Sequence, residues 1–585
     1  MTNVMPAAVL LAGAVLVPFF RGRTQNLITI ILPAIAFWLV SQLEPGAHLQ
    51  THFFGYDLTL LRVDKLSKIF GYIFTLNAFA AFLYAYYLRD ARQHCAALAY
   101  IGSALGVVFA GDVVTLYFFW EVMAVASTFL ILARGTDKAM GAGFRYVLIH
   151  LFGGLLLLAG IVLHITQTGG VEYSAAAMAE RSLANWLMLA GILVNAAAPP
   201  LHAWLSDSYP EATVTGGVIL SAYTTKTAVY TLIRGYPGWE ILMVIGCMMS
   251  IYGIMYALLE NDMRRILAYS IINQVGFMVC GVGIGTAMSL NGACAHAFCH
   301  IIYKALLWMS AGSVLYMTGK SKCTDLGGLY KTMPWTMIFG TVGALAISSV
   351  PFTSGFTSKS LIIEGAVHEH ITWAWLILEI ASAGVFLHAG IKFPYFVFFA
   401  KDKGLRPGEP PHKTMLWSMG FMAFLCIFLG VYPDPLYAIL PYEMHDFHGF
   451  YTFPGVIKQF QLLIFSALVF FLFLKLLKRT DTIALDTDWF WRKGSRAFAW
   501  VMDKSLNGVN TVADKAIAQG LAGVVNRFCV DAPRRLVVGF LYPVLPQGRR
   551  ERMNRAFRAG VSPVGLSVAS ATLFLLIFMI YTLSR

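Results

Sequence analysis

Charge is what this 585-residue sequence has least of: Asp, Glu, Lys and Arg make up 12% of it, against roughly 25% in soluble proteins. So little charge cannot keep a large globule in water, which excludes the row of about four soluble domains that length alone would suggest. Cysteine is sparse too. The eight residues are scattered without a C-x-x-C pair, which excludes a secreted disulfide scaffold and leaves them as small buried hydrophobes. No Walker motif, C-x-x-C-H haem attachment or iron–sulfur spacing is present, so the chain is expected to hold no redox centre, nucleotide or other cofactor of its own. No Lys or Arg precedes Arg21; the first apolar run therefore lacks the cationic start of a signal peptide and is expected to remain as a helix.

What is present is apolar. Hydrophobic residues make up 58% of the chain and fall in blocks of about twenty, the length that carries a helix across ~30 Å of hydrocarbon. The expected fold is an all-α polytopic membrane protein with about sixteen spans, at 4–20, 26–43, 65–88, 94–110, 113–133, 142–166, 184–205, 213–233, 239–259, 265–285, 290–317, 335–365, 373–399, 414–432, 459–477 and 563–583. Basic residues collect after the odd-numbered spans (Arg21/Arg23, Arg89/Arg92, Arg134/Lys138, Arg264/Arg265, Lys401/Lys403/Arg406, Lys478/Arg479). The expected location is a bacterial-type cytoplasmic (inner) membrane, and this distribution predicts both termini on its non-cytoplasmic side.

Two spans are interrupted. The seventh runs through Pro199-Pro200 into "LHAWLSDSYPEA", and the twelfth reads "SSVPFTSGFTSKSLIIEG" around Pro351. Irregular backbone at membrane depth is tolerated only where protein or a water-filled cavity covers it, and paired interruptions in corresponding halves point to an ion pathway built from repeats. After Arg479 the pattern changes: Phe498, Met502, Leu506, Val509, Ala513, Ile517, Leu521, Val524 and Phe528 recur at helical spacing among charged residues. This predicts an amphipathic helix over about 490–530, lying along the membrane surface. The net charge of +13 would suggest nucleic acid in a soluble protein. Here the excess sits between Lys475 and Arg558, with sixteen basic and seven acidic residues, so anionic lipid is the expected partner and nucleic acid is not.

Ionisable residues inside spans carry the functional signal, because each costs roughly 2.5–3.5 kcal/mol at the bilayer centre on insertion scales. Glu121, Lys226, Lys304 and Lys359 lie near mid-span, and His296, His300 and Lys304 follow one another at helical-turn spacing on one face. A carboxylate beside a buried lysine holds it charged, a lysine that loses the pair passes its proton on, and histidines relay protons at physiological pH. The run "CAHAFCH" holds two metal-ligand types, but Cys294 points away from the His296/His300 face of a helix, so no metal site is expected.

Six segments, "FFWEVMAVAS", "PPLHAWLSDSYPEA", "LENDMRRILAYSIINQVGF", "HIIYKALLW", "DLGGLYKTMP" and "VPFTSGFTSKSLI", together resemble the proton-translocating antiporter-like family. That family includes the D component of Mrp-type cation/proton antiporters and the antiporter-like subunits of respiratory complex I and membrane-bound hydrogenases. The resemblance implies two inverted five-helix repeats with broken helices 7 and 12, each repeat forming a half-channel, and a proton-carrying axis through Glu121, Lys226, His296, His300, Lys304 and Lys359. The implied layout is N-terminal helices at 1–110, half-channels at 111–235 and 236–400, peripheral helices at 401–480, a basic lateral helix at 481–560 and a final span at 561–585. It also implies other membrane subunits as partners and H⁺ as substrate, with Na⁺ or K⁺ as candidate exchanged cations. The alternatives are the energy-conserving membrane arm of a complex I-like quinone oxidoreductase or hydrogenase, and a scaffold that no longer pumps. One position departs from the family pattern: where a lysine usually stands five residues before Pro200, this chain has Asn195. Lys226 is then the expected substitute partner for Glu121.

Overall fold

A computed structural model describes residues 4–53, 55–444, 451–475, 480, 485–528, 543, 546–558, 574–575 and 578–579. The chain divides into two compact units, Met1–Asp488 and Trp489–Arg585.

The first unit is a helical bundle. α1 (Pro6–Leu16) and α2 (Gly22–Gln42) lead into an antiparallel hairpin of β1 (Gly46–Phe53) and β2 (Tyr56–Val63), with Gly46 opposite Val63 and Phe53 opposite Tyr56. Helices then follow as α3 (Lys65–Tyr84), α4 (Ala91–Phe109), α5 (Val113–Leu132), α6 (Asp137–Thr168), α7 (Leu183–Asn195), α8 (Ala203–Ser208), α9 (Val214–Leu220), α10 (Thr224–Gly235), α11 (Ile241–Leu259), α12 (Met263–Ile284), α13 (Ala287–Thr318), α14 (Pro334–Ile347), α15 (Ser354–His368), α16 (Thr372–Val385), α17 (Lys413–Val431), α18 (Asp434–Tyr437) and α19 (Phe453–Leu472). Ten helices among the described residues are long and apolar enough to cross a membrane, and the fold is that of an all-α polytopic membrane protein apart from the hairpin, which the helical reading did not include. The last expected span, 563–583, lies outside the described residues except at four positions.

Side-chain caps set many of the boundaries. Asp112, Thr136, Asp262 and Thr286 each accept a hydrogen bond from the backbone of the helix they precede, satisfying donors that hydrocarbon could not. These caps repeat at a fixed interval: Asp112 and Asp262, and Thr136 and Thr286, are each 150 residues apart. The left-handed C-cap glycines Gly169 and Gly319, and the bridges Asp112–Glu172 and Asp262–Lys322, keep the same offset. α4–α7 are thus matched, element by element, by α11–α14. Close approach of α11 to α12 depends on small residues; a Cβ at Gly246 would stand 2.3 Å from the Cys280 amide nitrogen. The described cysteines fit the expected small buried hydrophobes, all buried but Cys95, which is half-buried.

Both expected interruptions are present. α7 ends at Asn195 and α8 resumes at Ala203; α14 ends at Ile347 and α15 begins at Ser354. A third was not expected: the eighth span divides into α9 and α10 around Ser221–Tyr223. The thirteenth span, Thr372–Phe399, changes to π-helical turns over Phe386–Lys392 and Tyr395–Phe399.

In the second unit, α20 (Asp488–Met502) continues through π-helical turns and α21 (Gly508–Ala513) to residue 528. It exposes Phe498, Leu506, Val509, Ile517, Leu521, Val524 and Phe528, the apolar positions of the expected amphipathic helix.

Candidate functional site: a buried axis of lysines and histidines

α13 is the centre of the site. It packs against α9, α10, α12, α14, α15 and α17, and is buried without a break from Ser289 to Val314. His296, His300 and Lys304 project from it and are fully buried. His296 Nδ1 lies 3.1 Å from Ser358 Oγ on α15 and Nε2 lies 3.0 Å from Gln274 Oε1 on α12; Tyr303 donates to the same Gln274 oxygen at 3.2 Å. Lys304 Nζ donates to Ser270 Oγ at 2.9 Å. The His300 ring stands 6.2 Å from His296 and 5.3 Å from Tyr303, and neither of its nitrogens has a hydrogen-bond partner among the described residues.

Broken helices place a lysine at each end. Interrupting a helix frees backbone carbonyls, and in both cases the lysine takes one. Lys226 Nζ donates to Ser221 O at 2.7 Å and to Thr225 Oγ1 at 3.1 Å. Lys359 Nζ donates to Ile347 O at 3.1 Å and stands 5.1 Å from the centre of the Phe277 ring. The α9–α10 break is held by packing rather than by proline: Tyr100 Oη, on α4, accepts from Thr224 N at 2.9 Å. His300 lies within electrostatic reach of Lys226, Lys304, His296 and Lys359, so the charge on each is felt along the row. Five of the six expected ionisable residues are therefore brought together.

Glu121 stands apart. It packs on α6 over Gly154, where a Cβ would be 2.1 Å from its Oε1, and that oxygen has no hydrogen-bond partner among the described residues. The expected Glu121–Lys226 pair is not formed: Lys226 faces the α13 row and makes no ion pair among the described residues, whereas Glu121 faces α6. Asn195 is fully buried at the end of α7, with both amide atoms lacking a hydrogen-bond partner among the described residues. Pro200 and Pro351 lie in the two breaks they were expected to mark.

Several residues escaped the sequence reading. Glu379 on α16 pairs with Lys458 of α19 at 2.6 Å, and its charge acts on Lys359. Lys392 donates to the carbonyls of Ala257, Leu258 and Glu260 at 2.6–2.9 Å. His150, buried on α6 and stacked on Tyr146 with ring centres 3.9 Å apart, is the counterpart of His300 at the 150-residue offset. That offset was the signal that could have found it. By the same register Gly154 stands where the second repeat has Lys304.

Fold and site together define a polytopic membrane protein with ionisable side chains lined up between two broken helices. Residues 110–384 match the family described as NADH:quinone oxidoreductase/Mrp antiporter, TM. The chain is similar to the A/B component of a probable K(+)/H(+) antiporter of Rhizobium meliloti (28% identity over 65% of this chain and 40% of that protein). It is similar also to the D component of the Na(+)/H(+) antiporter of Alkalihalophilus pseudofirmus (29% identity over 57% of this chain and 71% of that one). A chain in the structure of the Mrp complex from Dietzia sp. DQ12-45-1b shares the fold, with a TM-score of 0.73 at 22% identity, covering 89% of this chain and 62% of that one. The chain spans less than half of the Rhizobium protein's length.

Proposed function

We propose that this chain is a proton-translocating, antiporter-like subunit of a multisubunit complex in a bacterial-type cytoplasmic membrane, with both termini on the non-cytoplasmic side. Residues 111–235 and 236–400 form its two half-channels. The observation that carries this reading is the set Lys226, Lys304, His300, His296 and Lys359, buried in the bundle, with its two outer lysines each bonded to a carbonyl freed by a broken helix. The His300 imidazole, buried with both nitrogens lacking a hydrogen-bond partner among the described residues, has its bonding positions open to a transferring proton, and histidines shuttle protons near neutral pH. Lysines that share each other's field pass charge along, because a proton on one disfavours a proton on the next. Glu121 serves the outer end of the first half-channel. Other membrane subunits and anionic lipids are its partners, and Na⁺ or K⁺ is the exchanged cation, by analogy with the named relatives.

The second reading, a membrane arm driven by a redox partner, is favoured by the family description, which joins quinone oxidoreductases to antiporters. Both readings require the axis. The test is Lys226→Ala and Lys359→Ala in the native complex, with proton movement followed by a pH-sensitive dye in inverted membrane vesicles. Each variant should abolish proton-coupled activity while the complex still co-purifies; full activity in both would remove the proposal. Identifying the co-purified subunits separates the antiporter from the redox reading.

A further inference from the structure

A second buried ionisable cluster lies outside this axis. Asp486, from the stretch that follows the α19 helix and precedes α20, is inserted into the bundle with its side chain 1% exposed. Its Oδ1 meets Nε2 of His202 at 3.2 Å and accepts from Tyr252 Oη; its Oδ2 accepts from Tyr269 Oη at 2.6 Å. The Thr487 amide also donates to Oδ1, at 2.5 Å, and Tyr256 Oη donates to the neighbouring Leu485 carbonyl at 3.0 Å. His202 occupies the break between α7 and α8 and is fully buried. The carboxylate thus joins three elements, the α7–α8 break of the first repeat and α11 and α12 of the second, across 284 residues of sequence from His202.

We propose that His202 is a further proton carrier of the first half-channel and that Asp486 is the residue that orients and charges it. This rests on the proton-translocating reading above.

The chemistry follows from which nitrogen faces which partner. A carboxylate accepts only, so in the neutral ring Nε2 carries the hydrogen and donates to Asp486 Oδ1. Nδ1, which is buried and has no hydrogen-bond partner among the described residues, is left as the basic nitrogen. A proton arriving at Nδ1 makes an imidazolium whose charge is offset by the carboxylate beside it; the same N–H bond breaks when the proton moves on, and Asp486 stays anionic throughout. Burial raises the Asp486 carboxyl, but the His202 hydrogen bond and charge, with the hydroxyls of Tyr252 and Tyr269, outweigh it and hold the carboxyl below the usual carboxylate range. Among the described residues near the cluster, Asp207 of α8 is paired with Arg145 of α6, and Arg265 of α12 with Glu260. Tyr256 of α11 is a further titratable group against it, stacked between Tyr252 and Tyr269.

Two variants test this in the assembled complex. In His202→Gln an amide donor replaces Nε2–H and keeps the bond to Asp486, but no proton can be carried; proton-coupled activity should fall at least tenfold with assembly unchanged. In Asp486→Asn the imidazolium loses its counter-charge, so the alkaline limb of the activity–pH profile should move to lower pH, and Asp486→Glu should restore it. Wild-type activity in His202→Gln, or an unmoved profile in Asp486→Asn, would overturn the proposal, as would equal loss of assembly in Asp486→Asn and Asp486→Glu, which would mark a purely structural latch. If Lys359→Ala is inactive while these variants behave as wild type, only this inference fails; if Lys359→Ala is also fully active, the proton-translocating reading fails with it.

Discussion

Gly154→Ala isolates the position of one carboxylate from its presence. A Cβ at residue 154 would stand 2.1 Å from Glu121 Oε1 and 3.0 Å from its Cδ. Ordinary contact begins near 3.4 Å, so the carboxylate must retreat by about 1.3 Å, and being the far end of a flexible, half-buried side chain it can. An off-rotamer shift costs about 0.5–1.5 kcal/mol, while replacing glycine by alanine inside a helix returns about 1 kcal/mol. The two nearly cancel, and the variant should accumulate and assemble as the parent does. Its activity should not survive equally well. Proton transfer needs a donor and acceptor within ~2.6–3.2 Å or one bridging water, and a displacement of about 1 Å elsewhere costs up to 100-fold. Proton-coupled transport in inverted vesicles is expected to fall about tenfold or more, approaching Glu121→Gln, and the double variant should be no worse than Glu121→Gln alone because both act on one group. Parent-like transport in Gly154→Ala, with Glu121→Gln inactive, would refute the argument that the carboxylate works from its place over α6.

Asn195→Lys should assemble, since Glu121 offers a negative charge on the other side of α6, and should change the pH dependence of transport; failure of the variant to accumulate would show that no counter-charge is within reach. Arg234 grips Asp64 through two hydrogen bonds of 2.8 Å, tying the end of α10 to the start of α3. Because that carboxylate is one-third exposed, Asp64→Asn should cost about 1–3 kcal/mol, read as a lower midpoint of thermal unfolding in detergent. Burial raises the Asp64 carboxyl, but Arg234's hydrogen bond and charge, with the Ser67 amide, hold it below 3.8; its contribution should therefore be complete above about pH 4 and be lost as pH falls through the lowered value, which an acid titration of thermal stability checks. Ending the chain after Asp488 should preserve the core's unfolding midpoint, whereas ending it after Arg479 should lower it by removing Asp486 from His202; equal midpoints would show that the contact adds nothing to stability.

Much of the architecture is set locally and was legible in the sequence. A helix crosses hydrocarbon because twenty apolar residues with every backbone group bonded internally are stable there, so the spans follow from composition and length. Pro199-Pro200 and Pro351 mark the two interruptions because proline removes a donor wherever it stands. The row His296, His300 and Lys304 follows from 3.6-residue periodicity.

What tertiary structure alone decided lies where distant segments meet. No proline divides α9 from α10; Tyr100 of α4 holds Thr224, and Lys226 takes the carbonyl that the break releases. Glu121 and Lys226 are adjacent by motif order, yet the rotation of their helices turns one toward α6 and the other toward α13. Asp486 reads in the sequence as one carboxylate in a basic stretch, and only the bundle brings it to His202. Pattern within one element reports which residues share a face; which faces meet is fixed by packing among all of them.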